Sequence, residues 1–451
     1  MKFSRESAYL LLCVITLALF LLFLRQSNHS YPRRLLLSGS YVARNEDLER
    51  MNLFVHPEKY PIFNNLIVLP KTHQSKLLQN NRQLYEHDKW VEAFPGFLLH
   101  SAFETGKYQQ KFRKNVRILA LGLPHALNIS EVLCSFKNNE TTWNESYVTY
   151  FSFRQNSKET LFPYTFVCSY HIEDKPVQVS LQKGNLKNIT HWLTIHHKQK
   201  NNLQKREISV CTPPFYNKFN DTRLLAEFLA FYDAAGVSSF TFYDYDMSQD
   251  VRSYFDLLNQ EGMNITIIPW NIPTSLASSV WHYGQLASIQ HCLYRNIERT
   301  KFVLLVAVDE FLVPRQHFSL VELMSELSSK SKRKIGSYVF RQSFFCLEGI
   351  KMNSFSLYTS DRIEKIWPPK IKSNVMVRPE TVIEGGIYYV RKHVKGWKSA
   401  KVPWQLALVH HYKSCPKQNH TKVTQDRTAE SFKFEIIYAK PMTVYREMKG
   451  L

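Results

Sequence analysis

The sequence predicts an α/β protein: a doubly wound, mostly parallel sheet, preceded by a small β-rich domain and an N-terminal transmembrane helix. Three observations carry this expectation. Residues 8–24 form a run without a formal charge, and residues 96–200 break into short alternating runs. From about residue 205, strand-like runs alternate with segments of helical spacing. Composition permits such an architecture: 44% of the 451 residues are hydrophobic and 14% aromatic, which supports a large core and excludes global disorder.

The apolar run comes first. From Ala8 to Leu24 it is dominated by Leu, Phe, Val and Ile, and at about 1.5 Å rise per residue it reaches roughly 26 Å. A thin early-secretory bilayer is about 27 Å thick. Lys2 and Arg5 precede the run, as a cytoplasmic tail requires. Arg25 follows at once, and Leu24-Arg25-Gln26-Ser27 offers no small-residue cleavage site. A type II signal anchor is therefore favoured, with a cleaved signal peptide as the alternative because the run is short. The expected order is a cytoplasmic tail at 1–7, the anchor at 8–24, a luminal stem at 25–95, the β-rich domain at 96–204 and the main α/β domain at 205–440.

Two counts agree with a luminal head. Asn-X-Ser/Thr acceptors begin at Asn28, Asn128, Asn139, Asn144, Asn188, Asn220, Asn264 and Asn419. Apart from Cys13 in the apolar run, six cysteines remain, an even number that permits three disulfides in 15 connectivities. No CxxC pair exists, so a structural zinc site is not expected. The net charge of +20 admits nucleic acid, anionic membrane, acidic glycans or phosphate-bearing small molecules as partners. A luminal location removes nucleic acid.

The elements follow in order. Val116–Ala120, Tyr147–Phe153, Phe162–Ser169 and Val177–Leu181 read as strands between polar turns, and the proximity of Cys134 to Cys168 suggests that these two pair. Lys198 to Arg206 is a charged linker. Ile208–Thr212 is a short strand, and Asp221 or Thr222 caps a helix carrying Leu224, Leu225, Phe228, Leu229 and Tyr232, which Gly236 can stop. Val237–Tyr243 is a strand, Val251–Gln260 a helix stopped by Gly262, and Asn264–Ile268 a third strand. Leu286–Arg299 is a helix, and Phe302–Val308 an apolar central strand. Sheets of this kind bind ligands beyond the carboxyl ends of their strands.

Those ends carry the candidate residues. Asp309 and Glu310 follow the central strand; two hard carboxylates there suit Mg²⁺ or Mn²⁺ bridging a diphosphate, although an isolated pair is also what a helix cap with a solvated neighbour looks like. Tyr243 and Asp244 end the second strand, where tyrosine stacks and aspartate accepts from a ribose, or where they merely form a polar turn. Thr212 borders the same place. Lys372 and His411 stand further on, the histidine as a ligand or phosphate donor, or as surface or core. No Gly-rich phosphate loop, Walker lysine, GxSxG elbow or HExxH pair appears, which disfavours kinases, lipases and zinc proteases.

Together these pieces resemble the glycosyltransferase family 92 domain over about residues 205–430, with weaker similarity before it. The residues that carry the resemblance are Glu227, Gly236-Val237, Phe240, Tyr243-Asp244, Gly284-Gln285, Cys292, Asp309-Glu310-Phe311 with Pro314, Arg378-Pro379-Glu380 and His411-Tyr412-Lys413. The resemblance implies a GT-A fold and a Golgi type II membrane enzyme. It further implies inverting transfer of galactose from UDP-galactose with Mn²⁺, forming a β1,4 linkage to a terminal galactose or core fucose of N-glycans. Asp309, Glu310 and His411 are thus the expected metal ligands, and Thr212, Tyr243, Asp244, Gln285, Lys372 and His411 the expected donor-binding residues. Glu348, after the strand-like run Ser337 to Phe345, is the candidate general base or else an exposed loop glutamate, and Trp397 is a candidate sugar-stacking residue or part of an exposed Lys-rich loop. The chain departs from the family's Asp-X-Asp-Glu-Phe pattern at Ala307, in the first acidic position, and carries Gln290-His291 and Tyr388 where relatives often have an acid and a histidine. The departure at Ala307 motivates a rival expectation, a luminal glycan-binding or scaffold protein on a transferase fold. A cell-surface adhesion receptor is disfavoured by the short tail and the α/β head.

Overall fold

The computed structural model describes residues 88–451 apart from short segments at 108–111, 125–127, 129–130, 146–147, 153–159, 185–190, 198–204, 332, 349–354 and 416–421. The expected tail, anchor and nearly all of the stem lie outside the described residues, as do the sequons at Asn28, Asn188 and Asn419 and most of the charged linker. Among the described residues no helix is long and apolar enough to cross a membrane. Arg82–Leu451 forms one compact unit.

The first part of that unit is a nine-stranded sheet. Its centre is Arg113–Gly122, antiparallel to both Phe97–Lys107 and Phe162–His171. Alternation along Arg113–Gly122 sends Val116, Ile118 and Ala120 into one apolar core with Phe97, Phe136 and Phe166. Cys134 and Cys168 are bonded, the pairing that proximity suggested.

The second part opens with β1 (Arg206–Phe215), β2 (Ser239–Asp244), β3 (Ile265–Pro269) and β4 (Thr300–Leu305), lying in the order β3-β2-β1-β4 and all parallel. Between them run α1 (Thr222–Ala234), α2 (Gln249–Gln260) and α3 (Gln285–Arg295). Asp221 is the residue that caps α1, its carboxylate accepting the Leu224 N–H at 2.9 Å. Gly236 follows with φ +91°, a conformation that favours glycine. The strands alternate between two cores: Ile208, Val210, Phe240, Phe242, Phe302 and Leu304 pack with α1 and α2. Cys211, Tyr243, Val303 and Leu305 pack with α3 and with Leu98, Leu119 and Leu121 of the first sheet. The two sheets therefore share an apolar seam.

The expectation of a mostly parallel sheet is corrected beyond β4. Four residues separate β4 from β5 (Glu310–Pro314), too few for the crossover of a dozen or more that a parallel return needs. With β6 (Ile335–Cys346), β7 (Ser373–Val377) and β8 (Ala407–Lys413) the eleven-stranded sheet becomes mixed. β7 is antiparallel to both β4 and β6. β8 lies between β5, antiparallel, and the second half of β6, parallel. The predicted central strand thus ends at Leu305 rather than Val308, and residues 306–309 become a loop at its carboxyl end.

Candidate active site

A cavity of about 560 Å³ opens beyond the carboxyl ends of β1 and β4. One wall is Thr212, Pro214 and Tyr216 from the end of β1; another is His282, Gln285 and Ser288 from the start of α3 and the turn before it. Ala307 through Glu310, Asn374, Tyr388 and His411 close the third side. The Cys211–Cys292 disulfide ties β1 to α3 and so joins the first two walls.

The register of β5 on β8 sets Glu310 opposite His411. Next to them Asp309 Oδ2 lies 3.0 Å from His411 Nε2. Burial opposes a charge on His411. The Asp309 hydrogen bond and charge, with Glu310, outweigh that and the nearby Lys413, and raise the imidazole above its ordinary 6.5. The Asp309 side chain is 36% exposed, and its other oxygen has no hydrogen bond among the described residues.

Glu310 behaves differently from its neighbour. Its Oε1 accepts from the Gln342 side-chain amide at 2.7 Å, and its Oε2 from the Ala307 N–H at 2.9 Å and Asn374 Nδ2 at 2.6 Å. Three of its roughly four acceptor sites are taken by protein donors, which gives Glu310 a structural task and leaves one lone pair, on Oε1, for a metal. Its carboxylate pins the loop at Ala307 to β6 and β7. The Gln342 side-chain nitrogen also lies 2.8 Å from His411 Nδ1, with Glu310 Oε1 3.5 Å from the same atom, and together they hold an imidazole whose other nitrogen faces Asp309.

Of the other expected site residues, Thr212 and Gln285 lie on the cavity wall. The Thr212 hydroxyl is buried with no hydrogen-bond partner among the described residues, a donor and acceptor left for a ligand. Tyr243 does not reach the cavity lining: fully buried, it packs edge-on against Trp270, with its hydroxyl 3.0 Å from His291 Nδ1. Asp244 is held by Arg252, which donates Nε at 2.8 Å and Nη2 at 3.0 Å to its two oxygens; it serves the entry to α2 rather than a ribose. Lys372 lies off the lining with its ammonium 4.8 Å from the Phe344 ring, and burial and the charge of Lys413 lower it. Glu348 is exposed, accepts the Cys415 N–H at 2.7 Å beside the Cys346–Cys415 disulfide and does not line the cavity. Trp397 is likewise absent from the lining.

Sequence reasoning missed Gln342, Asn374 and His282. The first two were legible as polar residues interrupting buried strand runs, Phe340 to Phe345 and Ser373 to Val377, where an amide needs a partner. His282 sits with φ +41° and Tyr283 with φ +53°, left-handed conformations rare outside glycine, and nothing local in the sequence signals them. Burial lowers the His282 imidazole from its ordinary 6.5, so it is neutral at neutral pH. Tyr388 stands on the wall at the position where the family resemblance places a histidine.

A divalent cation fits this corner. Asp309 offers an anionic oxygen and His411 an imidazole nitrogen on one cavity wall, a donor pair suited to Mn²⁺. The cation would replace the proton that bridges the two.

A family model described as glycosyltransferase family 92 matches residues 206–444. The chain is 27% identical over 222 residues to the Caenorhabditis elegans beta-1,4-galactosyltransferase galt-1, covering 46% of this chain and 48% of that protein. It is 24% identical over 231 residues to a Ricinus communis glycosyltransferase family 92 protein, covering 48% of this chain and 36% of that one. The chain thus spans half or less of the length of these curated relatives. Among solved structures, GalNAc-T7 with UDP, GalNAc and Mn²⁺ overlaps 51% of this chain and 47% of its own at TM-score 0.30 and 10% identity. S. aureus TarS 1-349 with UDP-GlcNAc overlaps 54% and 71% at TM-score 0.29 and 13% identity. Overlaps of this extent leave the assignment resting on the family match.

Proposed function

The chain belongs to glycosyltransferase family 92, and we propose that it transfers galactose from UDP-galactose, with inversion and a bound Mn²⁺, to a terminal galactose or core fucose of N-glycans, forming a β1,4 linkage. The observation that carries the reading is the Asp309–His411 pair on a cavity beyond the carboxyl ends of parallel strands. The relative named as a beta-1,4-galactosyltransferase supports the donor and linkage.

Uridine diphosphate leaves readily only when its growing negative charge is neutralised. Asp309 and His411 would hold the cation, which supplies that charge. Thr212 presents its buried hydroxyl to the nucleotide from the end of β1, and Gln285 and Ser288 form the opposite wall. Inversion needs a base for the acceptor hydroxyl. With Glu348 off the wall, His282 takes that role: it lines the cavity and burial keeps it neutral, able to accept a proton. Trp281 and Tyr216 flank it, ring centroids 4.5 and 6.4 Å away, and offer faces for a sugar. Residence in the Golgi membrane through an anchor at 8–24, with the head luminal, completes the proposal; the three disulfides at the six remaining cysteines support it.

Incubation of the purified full-length chain with a panel of UDP-sugars and N-glycans, with Mn²⁺ or EDTA, tests the reading. Transfer of galactose alone, lost in EDTA, is expected. Binding of glycans without transfer of any sugar would favour the scaffold reading that Ala307 motivates. His282→Gln is expected to lower kcat by roughly 100-fold or more, the usual worth of a positioned base; a variant that turns over normally removes His282 from the mechanism.

A further inference from the structure

At the seam between the two sheets, outside the cavity, three side chains of metal-binding type converge. Asp88 precedes the first strand, His100 belongs to Phe97–Lys107 of the first sheet, and His291 belongs to α3. One ligand atom from each lies within 4.8 Å of the other two. We propose that Asp88, His100 and His291 form a structural site for a zinc-class divalent ion that staples the β-rich sheet to α3.

Two features point to a ligand beyond the clustering itself. His291 is fully buried, and its Nε2 has no hydrogen-bond partner among the described residues. A buried ring nitrogen left so carries the full cost of its lost hydration; a metal ion removes that cost. Moreover, each donor is oriented from behind, as metal ligands are. His291 Nδ1 lies 3.0 Å from the Tyr243 hydroxyl, which positions the ring and leaves Nε2 as the ligating nitrogen. His100 Nε2 lies 3.4 Å from the Pro269 carbonyl; donating there, it leaves Nδ1 as the nitrogen bearing the lone pair. Asp88 Oδ2 is 2.6 Å from His196 Nε2.

Two imidazoles and one carboxylate are borderline nitrogen and oxygen donors, the set that zinc takes, with water as a fourth ligand. Ions that require six or more oxygens are poorly served. The absence of CxxC pairs had argued against structural zinc; a histidine–carboxylate site does not need them.

The consequence reaches the cavity. His291 adjoins Cys292, which is bonded to Cys211, and α3 begins with the wall residues Gln285 and Ser288. A metal at the seam would fix that helix on its far side.

The test is a Co²⁺ titration of the full-length chain carrying Asp309→Ala, so that the cavity pair cannot contribute. After EDTA treatment, one equivalent of Co²⁺ should give the visible absorption of a four-coordinate N/O site, and Zn²⁺ should displace it and raise the unfolding temperature. His291→Gln in the same background should weaken binding roughly 100-fold or more, beyond the loss typical of a supporting contact. Asp88→Asn, at the half-buried edge of the site, tests it without opening the core. Absence of stoichiometric Co²⁺ absorption, or binding unchanged in both variants, would overturn the site and leave the catalytic reading untouched.

Discussion

Asp309 and Glu310 are adjacent carboxylates that the structure sends to opposite tasks, and truncating each to alanine separates them. Glu310→Ala removes the acceptor from three donors: the Ala307 N–H, the Asn374 amide and the Gln342 amide. A buried donor left unpaired costs about 1–3 kcal/mol. The sum is about 3–5 kcal/mol, because the neighbouring cavity admits water to part of the wall. With urea slopes of about 1–3 kcal/mol/M, the unfolding midpoint should fall by about 1 M or more. Asp309→Ala removes a carboxylate that is 36% exposed and paired only with His411, a loss of under about 1 kcal/mol. Tryptophan fluorescence during urea unfolding reads both, and Mn²⁺ affinity is measured on the same samples. Asp309→Ala should lose Mn²⁺ binding at nearly unchanged stability, whereas Glu310→Ala should lose stability first. A Glu310→Ala protein with the parent's midpoint and no Mn²⁺ binding would refute this division and return Glu310 to the metal.

Other expectations follow from buried groups. His410 is fully buried, and burial drops its pKa to about 3. The unfolded chain therefore binds the extra proton, and the stability this residue lends is lost as pH falls from 6.5 toward 3, at about 1.4 kcal/mol per unit. His410→Gln should flatten that acid limb in urea midpoints taken across pH. Glu227 is pushed up to about 7 by burial, against the Leu357 and Ser356 N–H groups it accepts. Its contribution is full below about pH 4.5 and is lost as pH rises through 7, so Glu227→Gln should remove a loss on the neutral side. Cys292→Ser opens a loop with separation 81, costs about 2–5 kcal/mol, and should raise KM for the nucleotide sugar more than it lowers kcat, because it frees one cavity wall from the other.

How legible all this was varies with the range of the interaction. β1 to β4 and α1 to α3 were readable because hydrophobic spacing, Asp221 and the two stopping glycines are local signals. Thr212 and Asp309 were picked out by asking which residues end strands, Gln285 by the family resemblance and His411 by that resemblance and its chemistry, and the structure brings the four to one cavity. The mixed second half of the sheet was not readable, because the pairing of β5 with β8 joins residues a hundred apart. Tyr243 was misplaced because its buried hydroxyl partner, His291, lies far along the chain. Asp244 was misplaced because Arg252, within α2, claims both its oxygens. Glu310 was read with Asp309 as one motif; only the folded positions of Gln342 and Asn374 show that most of its lone pairs serve protein donors.

The most direct measurement of the central claim is Mn²⁺-dependent transfer of galactose from UDP-galactose to an N-glycan by the purified full-length chain, compared with its Asp309→Ala and His411→Ala variants. The account predicts transfer by the parent protein and its loss in both variants while each remains folded. Transfer that persists in both variants, or in EDTA, would contradict it.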